Sequence, residues 1–238
     1  MIVVYSGTRN LYNGMVTSVA SLLEHNKPEK VYLMIEDDEF PYKLPECVYT
    51  INVSGLKDKY FKADSPNMTS PFTYMALLRA CYVDIFKEEK ILQLDVDTIV
   101  TDSLEPLWGI NMLGKWFAAC PEYLTSYNPF GNDRYYNIGV CLFNLEQMRK
   151  DNAMYYLLKL INTVKMNCVE QDALNFLGVP EKVKDIPVRY NESFCCGYTD
   201  HPAVVHYAGR RDWWTNPLLA RHSYLEKYKD KTSNGTRI

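Results

Sequence analysis

The chain has 238 residues, 47% of them hydrophobic and 23% charged, and a formal net charge of −3. These globular values exclude a disordered or fibrous protein and a strongly basic nucleic-acid binder, and the length suits one sizeable α/β domain better than two. The seven cysteines lack metal-ligand spacing and read as reduced, mostly core thiols, with Cys195 and Cys196 as packing residues rather than a redox pair. The opening MIVVYSGTRN has neither the basic start nor the long apolar run of a signal peptide, and no stretch is apolar for long enough to span a membrane. A cytoplasmic protein without a transmembrane segment is the expectation, which makes the N-x-[ST] patterns at Asn52, Asn67, Asn191 and Asn234 accidental.

Residues 2–5 form the first expected strand and run into Ser6-Gly7-Thr8-Arg9-Asn10, small and polar enough for a loop that approaches a ligand closely. Residues 14–25 read as a helix with Val16, Val19, Leu22 and Leu23 on its apolar stripe, ended by Asn26 and Pro28. Residues 31–35 give a second strand, followed by the acidic Glu36-Asp37-Asp38-Glu39, a solvated loop without a catalytic role. A third strand spans 48–53, a polar connection carrying Lys57, Lys59 and Lys62 spans 55–71, and a helix over 74–86 carries Arg79. It leads into residues 91–100, ILQLDVDTIV, apolar enough for a buried strand yet with Asp95 and Asp97 in its middle. In one continuous strand both carboxylates project to one face and Val96 to the other. Two such anions repel, so a divalent metal with oxygen ligands is the natural partner; a solvated strand-end pair is the alternative. Ligands bind outside the carboxyl edge of open α/β sheets, which favours the metal.

Beyond the Asp pair, 104–108 reads as a short surface segment and 116–120 as another strand. Residues 123–136 are polar, aromatic and rich in turn formers (Asn128-Pro129, Gly131-Asn132-Asp133), the mark of a long substrate-binding or mobile loop. Residues 136–145, YNIGVCLFNL, are apolar again with Asn137 and Gly139 at their mouth. Helical segments follow over 145–166, packed through Tyr156, Leu157, Leu160 and Ile161. Residues 170–177 form a helix whose first turn holds Glu170, Gln171 and Asp172, where acids suit the helix dipole. A short strand over 204–207 ends in Ala208-Gly209-Arg210-Arg211, and 218–231 is a basic amphipathic helix. Strand, helix, strand, strand, helix, strand is the grammar of a twisted, mostly parallel sheet covered by helices.

LQLDVDTIV followed by DSLEPLW resembles the Asp-x-Asp block of family 8 retaining glycosyltransferases, the group that includes glycogenin and bacterial galactosyltransferases. Arg79, YNIGVCLFNL, EQDALN and VHYAG are similar to further family blocks and fall in the family order, so the resemblance covers nearly the whole chain. It implies a single Rossmann-like α/β/α domain of GT-A type over 1–238, with 1–100 as the nucleotide-binding half, 101–217 as the sugar and acceptor half and 218–238 as the C-terminal helix and tail. It further implies transfer of glucose or galactose from a UDP-sugar to a carbohydrate or protein acceptor with anomeric retention. Asp95, Asp97 and His206 would hold manganese, or magnesium, against the donor diphosphate. The same resemblance brings Ser6, Thr8, Val96, Gly209 and Arg79 to the donor, with Tyr12 stacked on uracil and Asn137 and Gly139 at the sugar. Gln171, a poor nucleophile as a neutral amide, would stabilise charge on the sugar through its carbonyl oxygen, and Glu170 and Asp172 would orient sugar hydroxyls. Without the resemblance, Arg79 reads as a surface helix cation and His206 as a hydrogen-bonded core residue.

Two positions depart from the family. Its members commonly place an Asp in the loop where this chain has Ser6-Gly7-Thr8, and Asp212 stands where they carry a phosphate-binding Lys. Arg210 or Arg211 is the expected replacement, and a solvated basic turn paired with Asp212 is the alternative. An inactive nucleotide-sugar-binding protein and a self-glucosylating enzyme in the manner of glycogenin stay open, the second encouraged by 13% aromatic content and 19 tyrosines. A metal phosphohydrolase is disfavoured, because no second metal cluster or water-activating base is evident.

Overall fold

A computed structural model describes residues 1–70, 72–123, 128–131, 134–210 and 212–233, the side chains of 230–233 excepted. Pro71, Asn132, Asp133, Arg211 and Asn234 therefore lie outside the described residues. The strands are β1 (Ile2–Ser6), β2 (Lys30–Ile35), β3 (Val48–Asn52), β4 (Lys90–Leu94), β5 (Thr98–Val100), β6 (Phe117–Pro121), β7 (Tyr136–Asn144), β8 (Val183–Asp185) and β9 (Val204–His206). The helices are α1 (Tyr12–His25), α2 (Leu56–Tyr60), α3 (Tyr74–Leu77), α4 (Tyr82–Ile85), α5 (Glu105–Trp108), α6 (Leu145–Lys150), α7 (Ala153–Thr163), α8 (Val169–Gly178) and α9 (His222–Ser233).

Apolar runs in β1, β4 and β7 suit strands covered on both faces, and they occupy the middle of a seven-stranded sheet of order β3-β2-β1-β4-β7-β6-β8. Pairing is parallel from β3 through β2 and β1 to β4, antiparallel at β4–β7 and β7–β6, and parallel again at β6–β8. Strand alternation divides the core: Val4 and Ile91 join one cluster with Leu157 of α7 and Ala173 of α8, while Val3 and Leu92 join another with Met15, Val19 and Leu22 of α1. A separate antiparallel pair, β5 with β9, sets Thr98 opposite His206. Tyr207, Trp213, Leu225 and Tyr228 pack with Ile99 and Val205 and seat α9 against α1.

Five local expectations are corrected. The strand expected over 91–100 stops at Leu94, and the chain turns through Asp95-Val96-Asp97 before entering the second sheet as β5. The helix expected over 74–86 is broken by a 3₁₀ turn at Leu78–Cys81. The polar connection over 55–71 contains α2, whose Leu56 and Tyr60 pack on the core. Tyr156 is 49% exposed rather than a packing residue, and α9 begins only at His222 because Leu218, 90% exposed, lies in the turns after Pro217.

Candidate metal and donor site

The site is built where β4 ends. Asp95 N donates to Gly139 O of β7 at 2.8 Å, and Thr98 Oγ1 closes the turn by donating to Asp95 O at 2.7 Å. Tyr207 N donates to Asp97 O at 3.0 Å, which ties the turn to the end of β9 and brings in His206. The two carboxylates thus converge through a turn rather than through strand alternation. Ligand atoms of Asp95, Asp97 and His206 lie within 4.8 Å of one another. His206 Nε2 is 3.3 Å from Asp97 Oδ1 and 3.7 Å from Asp95 Oδ2, with the imidazole buried and both carboxylates partly open.

Burial and the neighbouring Asp97 charge push the Asp95 carboxyl up despite Arg79. Burial acts on Asp97 too, but His206 pulls its carboxyl below the usual range. Burial opposes charge on the imidazole, yet the two aspartates raise it. This mutual dependence is what a divalent cation relieves, and two oxygen ligands with one imidazole suit manganese or magnesium. The donor set therefore fits the ion.

Arg79 is only 8% exposed, which overturns its reading as a surface helix cation. Its guanidinium joins Asp95 to Glu170, with Nη1 donating to Glu170 Oε1 at 2.8 Å. Burial drives the Glu170 carboxyl up to about 7 in spite of Arg79, whose charge Asp95 shares. Glu170 Oε2 has no hydrogen-bond partner among the described residues. Its neighbour Gln171 is half-buried; Oε1 accepts from Ile138 N at 3.0 Å and Nε2 donates to Tyr135 OH at 3.1 Å. Asp172 accepts from Tyr135 OH at 2.5 Å and from the backbone N–H groups of Asn167 and Cys168, each at 3.0 Å. Arg79 thus brings Glu170 to the aspartate turn, while Asp172 is buried among donors at the start of α8.

Asn137 Nδ2 donates to Glu122 Oε1 at 2.9 Å, and His206 Nδ1 lies 2.7 Å from Asn191 Oδ1. A Cβ on Gly139 would lie 2.0 Å from His206 Cε1, so this glycine makes room for the imidazole ring. Glu122 and Tyr135 carry no functional signal in the sequence. Asn191 stood out only as the start of a glycosylation-like pattern, and the structure buries it completely.

At the carboxyl end of β1, Ser6 is half-buried and Thr8 Oγ1 donates to Asn10 Oδ1 at 2.6 Å. Tyr12 is 2% exposed: its hydroxyl donates to Asp37 Oδ2 at 2.9 Å and accepts from Glu36 N at 3.1 Å, and its ring centroid lies 4.9 Å from that of Phe40. The acidic run after β2 is thus an anchor for Tyr12 and Arg9 rather than a freely solvated loop. Val96 is buried, with its Cγ1 against Gly7. Gly209 has φ of 69°, in the left-handed region that favours glycine. The exposed Arg210 pairs with Asp212 through two contacts of 3.2 Å, the arrangement of the solvated-turn alternative. Arg210 and His206 also line a cavity of about 270 Å³ with Phe194, Tyr198 and Arg221.

A model of the family described as Glycosyl transferase family 8 matches residues 2–216. Glycosyltransferase GlyD of Streptococcus pneumoniae serotype 4 is 28% identical over 252 aligned residues, which cover 94% of this chain and 30% of GlyD. Glycosyltransferase GlyA of the same organism is 24% identical over 225 residues, covering 89% of this chain and 32% of GlyA. The chain thus spans about a third of the length of these two curated relatives. The solved structure of an active-site mutant of LgtC matches with a TM-score of 0.75 at 18% identity, covering 98% of this chain and 96% of LgtC. That likeness shows the fold, which is the GT-A glycosyltransferase fold. Among the described residues no helix is long and apolar enough to cross a membrane. With the family model running from β1 past Gly209, and the Asp-Asp-His cluster at its centre, the chain belongs to glycosyl transferase family 8.

Proposed function

We propose that the chain is a metal-dependent retaining hexosyltransferase that moves glucose or galactose from a UDP-sugar to a carbohydrate or protein acceptor. The observation that carries this reading is the convergence of Asp95, Asp97 and His206 at the carboxyl end of β4. When bound there, manganese or magnesium neutralises charge on the departing diphosphate. The protein's part is to hold the ligands: Arg79 fixes Asp95, Tyr207 fixes the Asp97 backbone, and Gly139 admits the His206 ring. Tyr12 is assigned to the uracil ring, Asn137 to the sugar, and Arg210 or Arg211 to the diphosphate. Gln171 stabilises positive charge on the anomeric carbon; its Oε1 keeps a second lone pair beside the one that accepts from Ile138 N. Glu170 acts beside it, held by Arg79, and Asp172 acts through the shape of the α8 turn. Hexose transfer is supported by two similar proteins: WaaO of Escherichia coli is a lipopolysaccharide glucosyltransferase, and LgtC is a galactosyltransferase solved with donor and acceptor sugar analogs.

The test is nucleotide release from a panel of nucleotide sugars with manganese, with EDTA, and in an Asp97→Asn variant. Release from UDP-glucose or UDP-galactose that EDTA abolishes, with loss in the variant, is expected; undiminished activity in EDTA would refute the metal assignment. One observation favours a second reading, an inactive nucleotide-sugar-binding protein: Asp212 stands at the expected Lys position and engages Arg210. Metal-dependent UDP binding without release from any donor would select it.

A further inference from the structure

The nitrogen that His206 turns away from the aspartates faces buried amides whose orientation is set from one end. The Gly139 backbone N–H donates to Asn137 Oδ1 at 3.0 Å, which makes that atom an acceptor. The opposite end of the same amide donates to the Glu122 carboxylate, which excludes the flipped arrangement. Asn191 donates its Nδ2 to Asn137 Oδ1 at 3.0 Å, so the atom it presents to His206 Nδ1 is its carbonyl oxygen, at 2.7 Å. Two acceptors cannot share that contact without a proton, and the proton must therefore sit on Nδ1.

Resting on the metal-site reading above, we propose that Asn191 is a positioning residue that holds His206 as the Nδ1–H tautomer, so that the Nε2 lone pair is aimed between Asp95 and Asp97. In the opposite tautomer an N–H would point at the two carboxylates and a bare nitrogen would meet the Asn191 oxygen, leaving no lone pair for an ion. The backbone of β7 thus selects the ligating nitrogen of β9 through two side-chain amides. Glu122 extends the line towards Gln171, whose Nε2 lies 3.5 Å from the same Oε1 that Asn137 reaches. Neither Asn191 nor Glu122 belongs to the Asp-Asp-His cluster itself.

The experiment has two parts. In metal-free, ¹⁵N-labelled protein, long-range ¹H–¹⁵N spectra taken where the His206 ring is neutral, assigned by loss of the signals in His206→Gln, should show a protonated Nδ1 and a bare Nε2. An Nε2–H ring in the parent would overturn the proposal. Manganese binding is then followed by the EPR signal of the free ion. Asn191→Leu should lose the tautomer preference and bind about 10- to 100-fold more weakly, the usual cost of losing such a partner. Asn191→Asp, which keeps an acceptor, should hold the Nδ1–H ring and stay much closer to the parent. Equal weakening in both variants, or none in Asn191→Leu, would also overturn it. Should Asn191→Leu fail to fold, the parent spectrum decides alone. A parent that binds no manganese would remove the metal reading, and the ring spectrum would still decide the tautomer.

Discussion

Gly139→Ala is the sharpest probe of the site because its effect is worked from one distance. The added Cβ would lie 2.0 Å from His206 Cε1, 2.7 Å from Nδ1 and 2.8 Å from Nε2. Ordinary contact begins at about 3.4 Å, so either the ring or β7 must yield by about 1.4 Å. Although the register of β7 with β6 shifts across residues 138–140, the strand is held on its other side by pairing with β4 up to Val140 and by Asp95 N on Gly139 O, which leaves the ring to move. Ligand distances at a metal tolerate about 0.2 Å, so a displacement of this size removes His206 as a ligand. Overpacking should also lower stability by about 1–3 kcal/mol. We expect manganese affinity, followed by EPR or calorimetry, to fall at least about tenfold, since lesser disturbances around metal ligands already cost 10- to 100-fold. Gly55→Ala is the matched control: it has φ of −77° and, among the described residues, no atom beyond its chain neighbours within 4 Å of the added Cβ, and should behave as the parent. Parent-like manganese affinity and melting temperature in Gly139→Ala would refute the steric argument.

Glu170 makes stability pH-dependent, because its carboxyl stands at about 7 in the fold against an ordinary 4.5. The fold favours the neutral form, so this contribution is whole below about 4.5 and is lost as pH rises through about 7, a loss on the order of 3 kcal/mol. Urea titrations of metal-free protein from acid to mildly alkaline pH should show that slope in the parent and a flatter one in Glu170→Gln; identical slopes would contradict it. If Arg210 grips the diphosphate, Arg210→Ala should lower both UDP affinity and kcat by about tenfold, as expected for a charge-assisted contact. Parent values would leave its pairing with Asp212 as its only role.

Much of the centre was legible because it is local in sequence. An apolar run broken by two aspartates, an amphipathic α1 and a nine-residue β7 each carry their own signal. Strand alternation nevertheless predicts the wrong local geometry for the aspartates, which lie in a turn beyond β4. Composition says how apolar a run is, but the end of β4 is decided by where β7 stops pairing and β9 begins to capture the chain. The break at Leu78–Cys81 was hidden for a related reason, since the periodicity of 74–86 is compatible with one helix and packing against α7 and α8 overrides it. Asn191 carries only a misleading glycosylation-like pattern, and Glu122 and Tyr135 carry no signal at all: single polar residues outside the periodic runs acquire meaning only when register brings them to His206, Asn137 and Gln171. Gly139 was noticed, but its reason lies in a ring from the far end of the chain.

The pairing of β5 with β9 has a consequence in time. His206 follows Asp97 by roughly 110 residues, so a ribosome working at about 5–20 residues per second exposes the aspartates some 5–20 s before their imidazole exists. During that interval β4 can already lie beside β1, while the two carboxylates have neither β9 to shape their turn nor a nitrogen to complete the cluster. Nascent chains halted before Val204 should therefore fail to retain manganese, and those halted well beyond Tyr207 should acquire it abruptly, making ion capture a clock for the closing step of folding.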